Sequence, residues 1–439
     1  MNIAIVGAGI IGVTTAYELA ADGHQVTVFE RRSAVAEETS FANAGVVSPG
    51  SVTPWAAPGM PLKVLSYLLK KHAAVRVTLP LSATDLLWMW RFTRACKLET
   101  YLVHRTHLQR LAFYSRQRLH TLVDQLHLDY EGSTGYLVLL RGNQDRALVQ
   151  PGLQVLRDAG VVFKEIDAAA ARQIEPALSP HTALAGAVHL PDDKVGNCRQ
   201  FALLLKAKTE VLGAKFMFNQ AVALVNTAQA ASLLIANETT PRFFDGVVLC
   251  AGLQSAALLR PLGINIPLTA VYGYSITAPL HPDTADNPLL APRSALMDER
   301  YKVAISRLGN RVRVAGSAEI GGHPDRHNHA AFQTLYQVLY DWFPGAARLG
   351  KGQLGASAGR DTLAPQVQHW KGARPMLPDR PPIIGASGIR GLWLNLGHGS
   401  SGWALSCGSA RALADLVAGR TPDIDMNGFG ASRARFGLV

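Results

Sequence analysis

An α/β fold, in which a Rossmann-like nucleotide-binding unit is joined to a second α+β unit on a mixed antiparallel sheet, is predicted by three stretches of this chain. The first, Met1 to Glu30, reads as strand, glycine turn, helix and strand. The second, Phe244 to Gly252, is an apolar run ending in small residues, the pattern of a buried strand that opens at the carboxyl edge of an α/β sheet. The third, residues 271 to 319, alternates at Tyr272, Tyr274 and Ile276 and again along Arg311-Val312-Arg313-Val314, the period of antiparallel strands.

The opening unit is the most specific of the three. Ile3-Ala4-Ile5-Val6 leads into Gly7-Ala8-Gly9-Ile10-Ile11-Gly12, and Val26-Thr27-Val28-Phe29 ends in Glu30 and Arg31. In a G-x-G-x-x-G turn, Gly7 permits the tight bend, Gly9 lets the backbone approach a pyrophosphate, and Gly12 lets the helix lie close on the sheet. The helix N-terminus then favours the phosphates, and Glu30 is placed to accept ribose hydroxyls. No second such turn follows a strand, so one dinucleotide is expected, and the turn alone leaves NAD and FAD both open.

With 439 residues, 48% of them hydrophobic, the chain is long enough for about two to three globular domains. Cys96, Cys198, Cys250 and Cys407 form no CxxC pair, so neither a zinc cluster nor a disulfide framework is indicated, and no metal site is expected. Met1-Asn2-Ile3 enters the glycine turn without a basic n-region, so no signal peptide is expected, and no apolar run is long enough to span a membrane. The net charge of +11 is concentrated between residues 61 and 120, where eleven Lys and Arg face two acids. Leu65, Tyr67, Leu68, Leu69, Leu86, Leu87, Trp88, Trp90 and Phe92 share that stretch, so it reads either as helices with a solvated basic face or as a surface for anionic membrane. No nucleic-acid motif accompanies the charge, which argues against that partner.

Along the chain, Glu37 to Gly45 is a loop of small and polar residues placed to offer donors to the rest of a dinucleotide, and three prolines between Thr53 and Pro61 break regular structure. Residues 62 to 130 carry helical spacing; Gly135 to Leu140 reads as a strand and Arg146 to Ala159 as a helix. Pro176 to Gly196 is loop-rich with short strands, Asn197 to Leu212 a helix, and strands lie near 215–218 and 221–226. An amphipathic helix covers 330 to 343. Leu392 to Leu396, Gly397-His398-Gly399-Ser400-Ser401-Gly402-Trp403 and the helix from Ala404 form a second strand, glycine turn and helix, which offers another helix N-terminus where negative charge could develop.

The opening fingerprint, Thr39 to Gly45, Ser51 to Gly59, Gly273-Tyr274-Ser275, Asp298-Glu299, Tyr301-Lys302, Gly372-Ala373-Arg374-Pro375 with Pro378-Asp379, and Gly397 to Trp403 resemble the small subunit of bacterial D-amino acid dehydrogenases. The wider family is that of FAD-dependent amine oxidoreductases similar to D-amino acid oxidase, glycine oxidase and sarcosine oxidase. The resemblance spans nearly the whole chain. It implies noncovalent FAD, a discontinuous FAD-binding domain (1–60, 190–270, 365–439) and an interleaved substrate domain (61–189, 271–364). It also implies oxidation of a D-amino acid such as D-alanine to a 2-oxo acid and ammonia by hydride transfer to flavin N5, with a quinone or other non-oxygen acceptor.

Carried over by residue, the resemblance puts Val6, Gly7, Gly9, Ile10, Ile11, Gly12, Glu30 and Arg31 at the adenosine and pyrophosphate. Ser40, Asn43, Ala44 and Gly45 lie along the phosphates and ribityl chain, Val222 at the adenine, Gly252 beneath the cofactor, and Gly399, Ser400, Ser401 and Gly402 at the isoalloxazine. Arg374 is expected to clamp the substrate carboxylate, with Tyr274 or Tyr301 adding hydrogen bonds; His398 is the alternative base, but a structural role in the turn is preferred for it. Tyr272 stands where a lysine is expected and Arg300 interrupts a shared motif, so substrate choice or acceptor approach is expected to differ. A glycine- or sarcosine-type oxidase, a D-hydroxyproline dehydrogenase and a non-catalytic FAD-binding protein on membranes are the competing readings. The expected location is cytoplasmic, with the inner face of the plasma membrane as its peripheral variant, and the oligomeric state is left open.

Overall fold

A computed structural model describes residues 1–68, 72–226, 231–281, 290–347 and 367–431. The strand Asn2–Val6 lies inside a six-stranded sheet ordered Ile383–Ala386, Leu392–Leu396, Gly246–Leu249, Asn2–Val6, Gln25–Phe29 and Lys215–Met217. All neighbours are parallel except the first pair. Parallel strands need both faces covered, which is why Ile3, Ile5, Val28 and Val247 to Leu249 are fully buried. Helices Ile10–Ala21, Cys198–Val211 and Gly402–Val417 contribute to the core on one face, while a three-stranded sheet (Val222–Asn226, Ala231–Ile235, Arg242–Phe243) contributes to the other.

The second sheet has ten strands, running from Gln368–Met376 through Thr269–Pro279, Arg311–Gly321, Val303–Leu308, Ala295–Asp298, Ser133–Leu140 and Gly186–Val195 to Val46–Val47, with two further strands paired at its side. The alternation read at 271 to 319 becomes its antiparallel centre, and the helix His329–Trp342 packs Phe332, Leu335, Leu339 and Trp342 against it. Strands 46–47, 186–195 and 368–376 belong wholly or partly to the stretches expected to bind FAD, yet they pair in this sheet. We propose that the two units divide by sheet, with the chain crossing between them more often than the sequence ranges state.

Two local expectations are corrected. Punctuation at Pro191 predicts a break, but the strand Gly186–Val195 runs through it, because the ladder shifts register opposite Thr134 and Tyr136 and leaves that proline outside the regular pairs. Within the helical stretch 62 to 130, Val75–Thr78 is a strand, paired parallel to Ala318–Gly321. Its β-branched residues answer to a partner more than 200 positions away, which helical periodicity cannot register.

The helices Ile10–Ala21, Leu98–Leu126 and Gly402–Val417 meet around Glu18, whose carboxylate is fully buried. It accepts from both ends of the Arg118 guanidinium at 2.7 and 2.8 Å and from Arg411 at 2.8 Å. Arg411 also binds Asp22 and Asp415, so the buried charges are paired within one network.

Candidate active site

A cavity of about 910 Å³ opens at the carboxyl edge of the six-stranded sheet and extends to the ten-stranded one. At its first end lie Val6, Gly7, Gly9, Ile10, Ile11, Glu30 and Arg31. Gly7 has φ +101°, and a Cβ there would stand 2.7 Å from the carbonyl oxygen of Cys250. A Cβ on Gly9 would meet only the Ser40 hydroxyl, at 3.6 Å, so it would project into open cavity space. Gly12 does not line the cavity. A Cβ there would sit 1.9 Å from the Gly7 oxygen, so this glycine presses the helix onto the turn. The Glu30 carboxylate accepts from the backbone N–H of Ala8 at 2.7 Å and of Arg32 at 2.9 Å, which fixes it at the strand end with lone pairs to spare. Arg31 turns its guanidinium to Glu38.

The loop through Ser40, Asn43, Ala44 and Gly45 stitches the two sheets together along the same wall. Ile10 N–H donates to Ser40 Oγ at 3.1 Å, Thr39 Oγ1 to the Ala373 carbonyl at 2.5 Å, and Trp403 Nε1 to the Gly45 carbonyl at 3.1 Å. Ser306 and Arg313 donate to the carbonyls of Ala44 and Asn43. Val222 and Gly252 line the cavity from the sheet edge.

The far end is formed by Tyr272, Tyr274, Lys371, Arg374 and the turn Gly399, Ser400, Ser401 and Gly402. Arg374 is partly buried and donates from Nη1 to the Ser317 carbonyl at 2.9 Å, and burial lowers its pKa to about 10. Its guanidinium lies across the neighbouring strand, where a Cβ on Gly273 would stand 2.4 Å from Nη2, so Gly273 makes room for it. Tyr274 donates to Glu319, which also accepts from Thr78 at 2.7 Å and Asn328 at 3.1 Å and lies 3.4 Å from the Lys371 ammonium. Burial raises the Glu319 pKa, but these hydrogen bonds and the ammonium outweigh it, and the carboxylate is held below its ordinary range. Burial, then the bond to Glu319, pushes the Tyr274 hydroxyl up, so it stays protonated.

One expectation changes here. Tyr301 does not line the cavity: its ring faces Arg141 at 5.0 Å and His72 at 6.0 Å. In the tight turn after Asp298, Lys302 lines the cavity instead. His398 is buried in the turn, its Nε2 3.0 Å from Ser409 Oγ, which itself donates to the Ser406 carbonyl, and burial lowers its pKa to about 3, which suits the structural role preferred for it over that of a base. Of the two departures, Arg300, half-exposed, binds the buried carboxylate of Asp145, whereas the Tyr272 ring lies 4.1 Å below the buried Lys371 ammonium. Lys371, Glu319 and Arg380 escaped sequence reading as site residues, and Gly273 was named only as part of a motif. Adjacency to Gly372-Ala373-Arg374 was the available signal for Lys371; none pointed to Glu319.

The glycine cradle, the fixed carboxylate at the second strand end and the donor-lined loop fit an adenine dinucleotide. Comparison with known proteins agrees. The family described as FAD dependent oxidoreductase matches residues 2–416. The chain is 39% identical to the D-amino acid dehydrogenase of Bradyrhizobium diazoefficiens over 441 aligned positions that cover all of both chains. Its fold is similar to glycine oxidase from Geobacillus kaustophilus (TM-score 0.74, 21% identity, 98% of each chain). It is likewise similar to L-proline dehydrogenase from P. horikoshii (TM-score 0.71, 15% identity, 99% of this chain and 98% of that one). On a match of that extent, the chain belongs to the FAD-dependent oxidoreductase family.

Proposed function

We propose that the protein is a D-amino acid dehydrogenase, oxidising a substrate such as D-alanine to its imino acid, which hydrolyses to a 2-oxo acid and ammonia, with electrons leaving to a quinone or other non-oxygen acceptor. The observation that carries this reading is Arg374, a guanidinium held over carbonyls rather than a carboxylate, opening into the cavity between two tyrosines and the Gly399 to Gly402 turn. Gly7, Gly9, Glu30, Ser40 and the turn would hold FAD, which supplies the two-electron acceptor for the substrate's α-hydrogen. Arg374 binds the substrate carboxylate through its fork of N–H donors. Tyr274, whose proton is committed to Glu319, offers its oxygen as an acceptor to the substrate amine. No side chain needs to remove a proton from Cα. The work of the chain is orientation and exclusion of water.

The test is anaerobic addition of D-alanine to the purified flavoprotein. Bleaching of the flavin band supports the reading, and retention of colour with every D-amino acid tried defeats it. Peroxide formed in air without a quinone would instead mark an oxidase. Replacing Arg374 with Ala is expected to raise KM by about 1.5 to 3 kcal/mol of lost binding, with a smaller effect on kcat; an unchanged KM removes Arg374 from the substrate site.

No described helix is long and apolar enough to cross a membrane. We infer instead that the exposed apolar and basic face between residues 62 and 103 rests on an anionic lipid surface, where a quinone acceptor would be at hand.

A further inference from the structure

Arg380 is a buried cation beside the cavity with no anion acting on it among the described residues. It is 3% exposed, and its backbone has φ +93°, a left-handed conformation seldom adopted by a residue with a side chain and one that persists where surrounding structure over-determines it. Its Nη1 donates to Ser400 Oγ at 2.9 Å and its Nη2 to Ser401 Oγ at 2.8 Å, while Nε has no partner among the described residues. The charge acting on it is a like one, that of Arg374, and the two guanidiniums lie 5.5 and 5.8 Å from the Trp55 ring. Gly399 seats the turn on this group, since a Cβ there would stand 2.6 Å from Met376 Sδ and 3.4 Å from Arg380 Nη1.

The direction of the two hydrogen bonds decides what the hydroxyls do. Each serine oxygen accepts from arginine, so each hydroxyl hydrogen is left to donate elsewhere, and both serines line the cavity. A buried cation polarises hydroxyls that accept from it and strengthens them as donors. Cation and donors together make a place where added negative charge is stabilised and added positive charge is not. Two-electron reduction leaves such charge around N1 and the C2 carbonyl of an isoalloxazine.

We infer that Arg380 is a positioning residue that raises the midpoint potential of the bound FAD by orienting and polarising Ser400 and Ser401. The inference rests on FAD being bound at the turn and is independent of which substrate is oxidised. Nothing in the G-x-R-P segment around Arg374 requires a second arginine six residues later; its strained backbone and unmatched charge are the reason to assign it a role.

The experiment measures the flavin potential of the full holoprotein, reduced enzymatically beside a reference dye, so no amino acid substrate is involved. Arg380→Met removes both donors and charge at similar length. Relative binding of reduced over oxidised FAD is expected to fall at least tenfold, a drop of about 30 mV for a two-electron couple. Arg380→Lys is expected to keep most of the potential. If the Met variant does not fold, the Ser400→Ala and Ser401→Ala double variant leaves Arg380 in place and is expected to lower the potential as well. A variant that loses thermal stability or affinity for oxidised FAD while its potential stays at the wild-type value makes Arg380 a structural pin and overturns the inference. Failure of D-alanine to bleach the same holoprotein would count against the dehydrogenase reading only.

Discussion

His398 shows how far burial alone decides a residue's chemistry. Its ordinary pKa of 6.5 is lowered to about 3 by burial, so the folded imidazole is neutral at any pH above that value. The unfolded chain takes up this proton as pH falls below 6.5 and the folded chain does not, so protonation favours unfolding and stability is lost on the acid side. As pH falls, the stability gap between wild type and His398→Gln should therefore narrow, by about 1.4 kcal/mol per pH unit well below 6.5 and by about 1.7 kcal/mol between pH 6.5 and 5. Urea midpoints of both proteins at several pH values check this, and a gap that does not change with pH would show that the imidazole titrates freely. At the same scale, the place of Arg374 on the cavity wall was reached only through the family resemblance of its short motif, whereas Glu319, placed by Tyr274, Thr78, Asn328 and Lys371 from four separate segments, carried no signal at all. Arg380 had no signal but its type. Its role depends on a backbone conformation and two serine contacts across 20 residues of chain.

Elements whose boundaries depend on local chemistry were legible, and those that depend on distant pairing were not. The strand Leu392–Leu396 and the helix Cys198–Val211 fall where apolar runs and the Asn197 cap put them, with Asn197 Oδ1 accepting from Gln200 N–H at 3.2 Å. The opening unit was legible for the same reason, since turn, helix and strand lie within thirty residues. The strand Val75–Thr78 and the continuation through Pro191 needed a partner strand to be known first. The packing of Gly402–Val417 against Leu98–Leu126 is a third such case, because Gly408 reads as an ordinary helical glycine. A Cβ there would stand 2.8 Å from the N, Cα and Cβ of Ser115, so the backbones meet with no flexible side chain between them to give way. Gly408→Ala gains helix propensity yet should destabilise the protein by about 1 to 3 kcal/mol through overpacking. It should also loosen FAD, because the same helix begins at Ser401 and Gly402. A thermal midpoint at or above wild type would mean that the helices separate at no cost.

Over the whole molecule, the net charge of +11 divides into charges with partners and charges without a structural task. Arg118 binds Glu18, Arg110 binds Asp425, and Arg116 approaches Asp193 at 3.8 Å, so the body of the long helix spends its cations inward. Arg76 is half-buried and donates to the Ala330 carbonyl, while Lys70 and Lys71 lie outside the described residues, so none of the three reports on a surface. The outward face is made by the helix Ala83–Ala95 and its neighbours. Leu62, Leu79, Leu86, Leu87, Trp90, Leu98, Leu102 and Val103 are eight of the seventeen large apolar side chains left exposed among the described residues. Arg94 lies 4.8 Å over the Trp90 ring, and Lys97 is exposed beside it. On the membrane reading proposed above, these exposed apolar side chains and their neighbouring cations meet an anionic surface. The protein should therefore sediment with phosphatidylglycerol vesicles and not with phosphatidylcholine ones, and salt should weaken the association. Arg94→Glu with Lys97→Glu should cut partition at least tenfold, given about 1 kcal/mol for each basic residue near the surface. Leu87→Ser with Trp90→Ser, at two side chains about half exposed, should do the same without changing the charge. Loss from the charge variant alone would leave a purely electrostatic contact, and equal partition of all three proteins into both vesicles would assign this face to another partner.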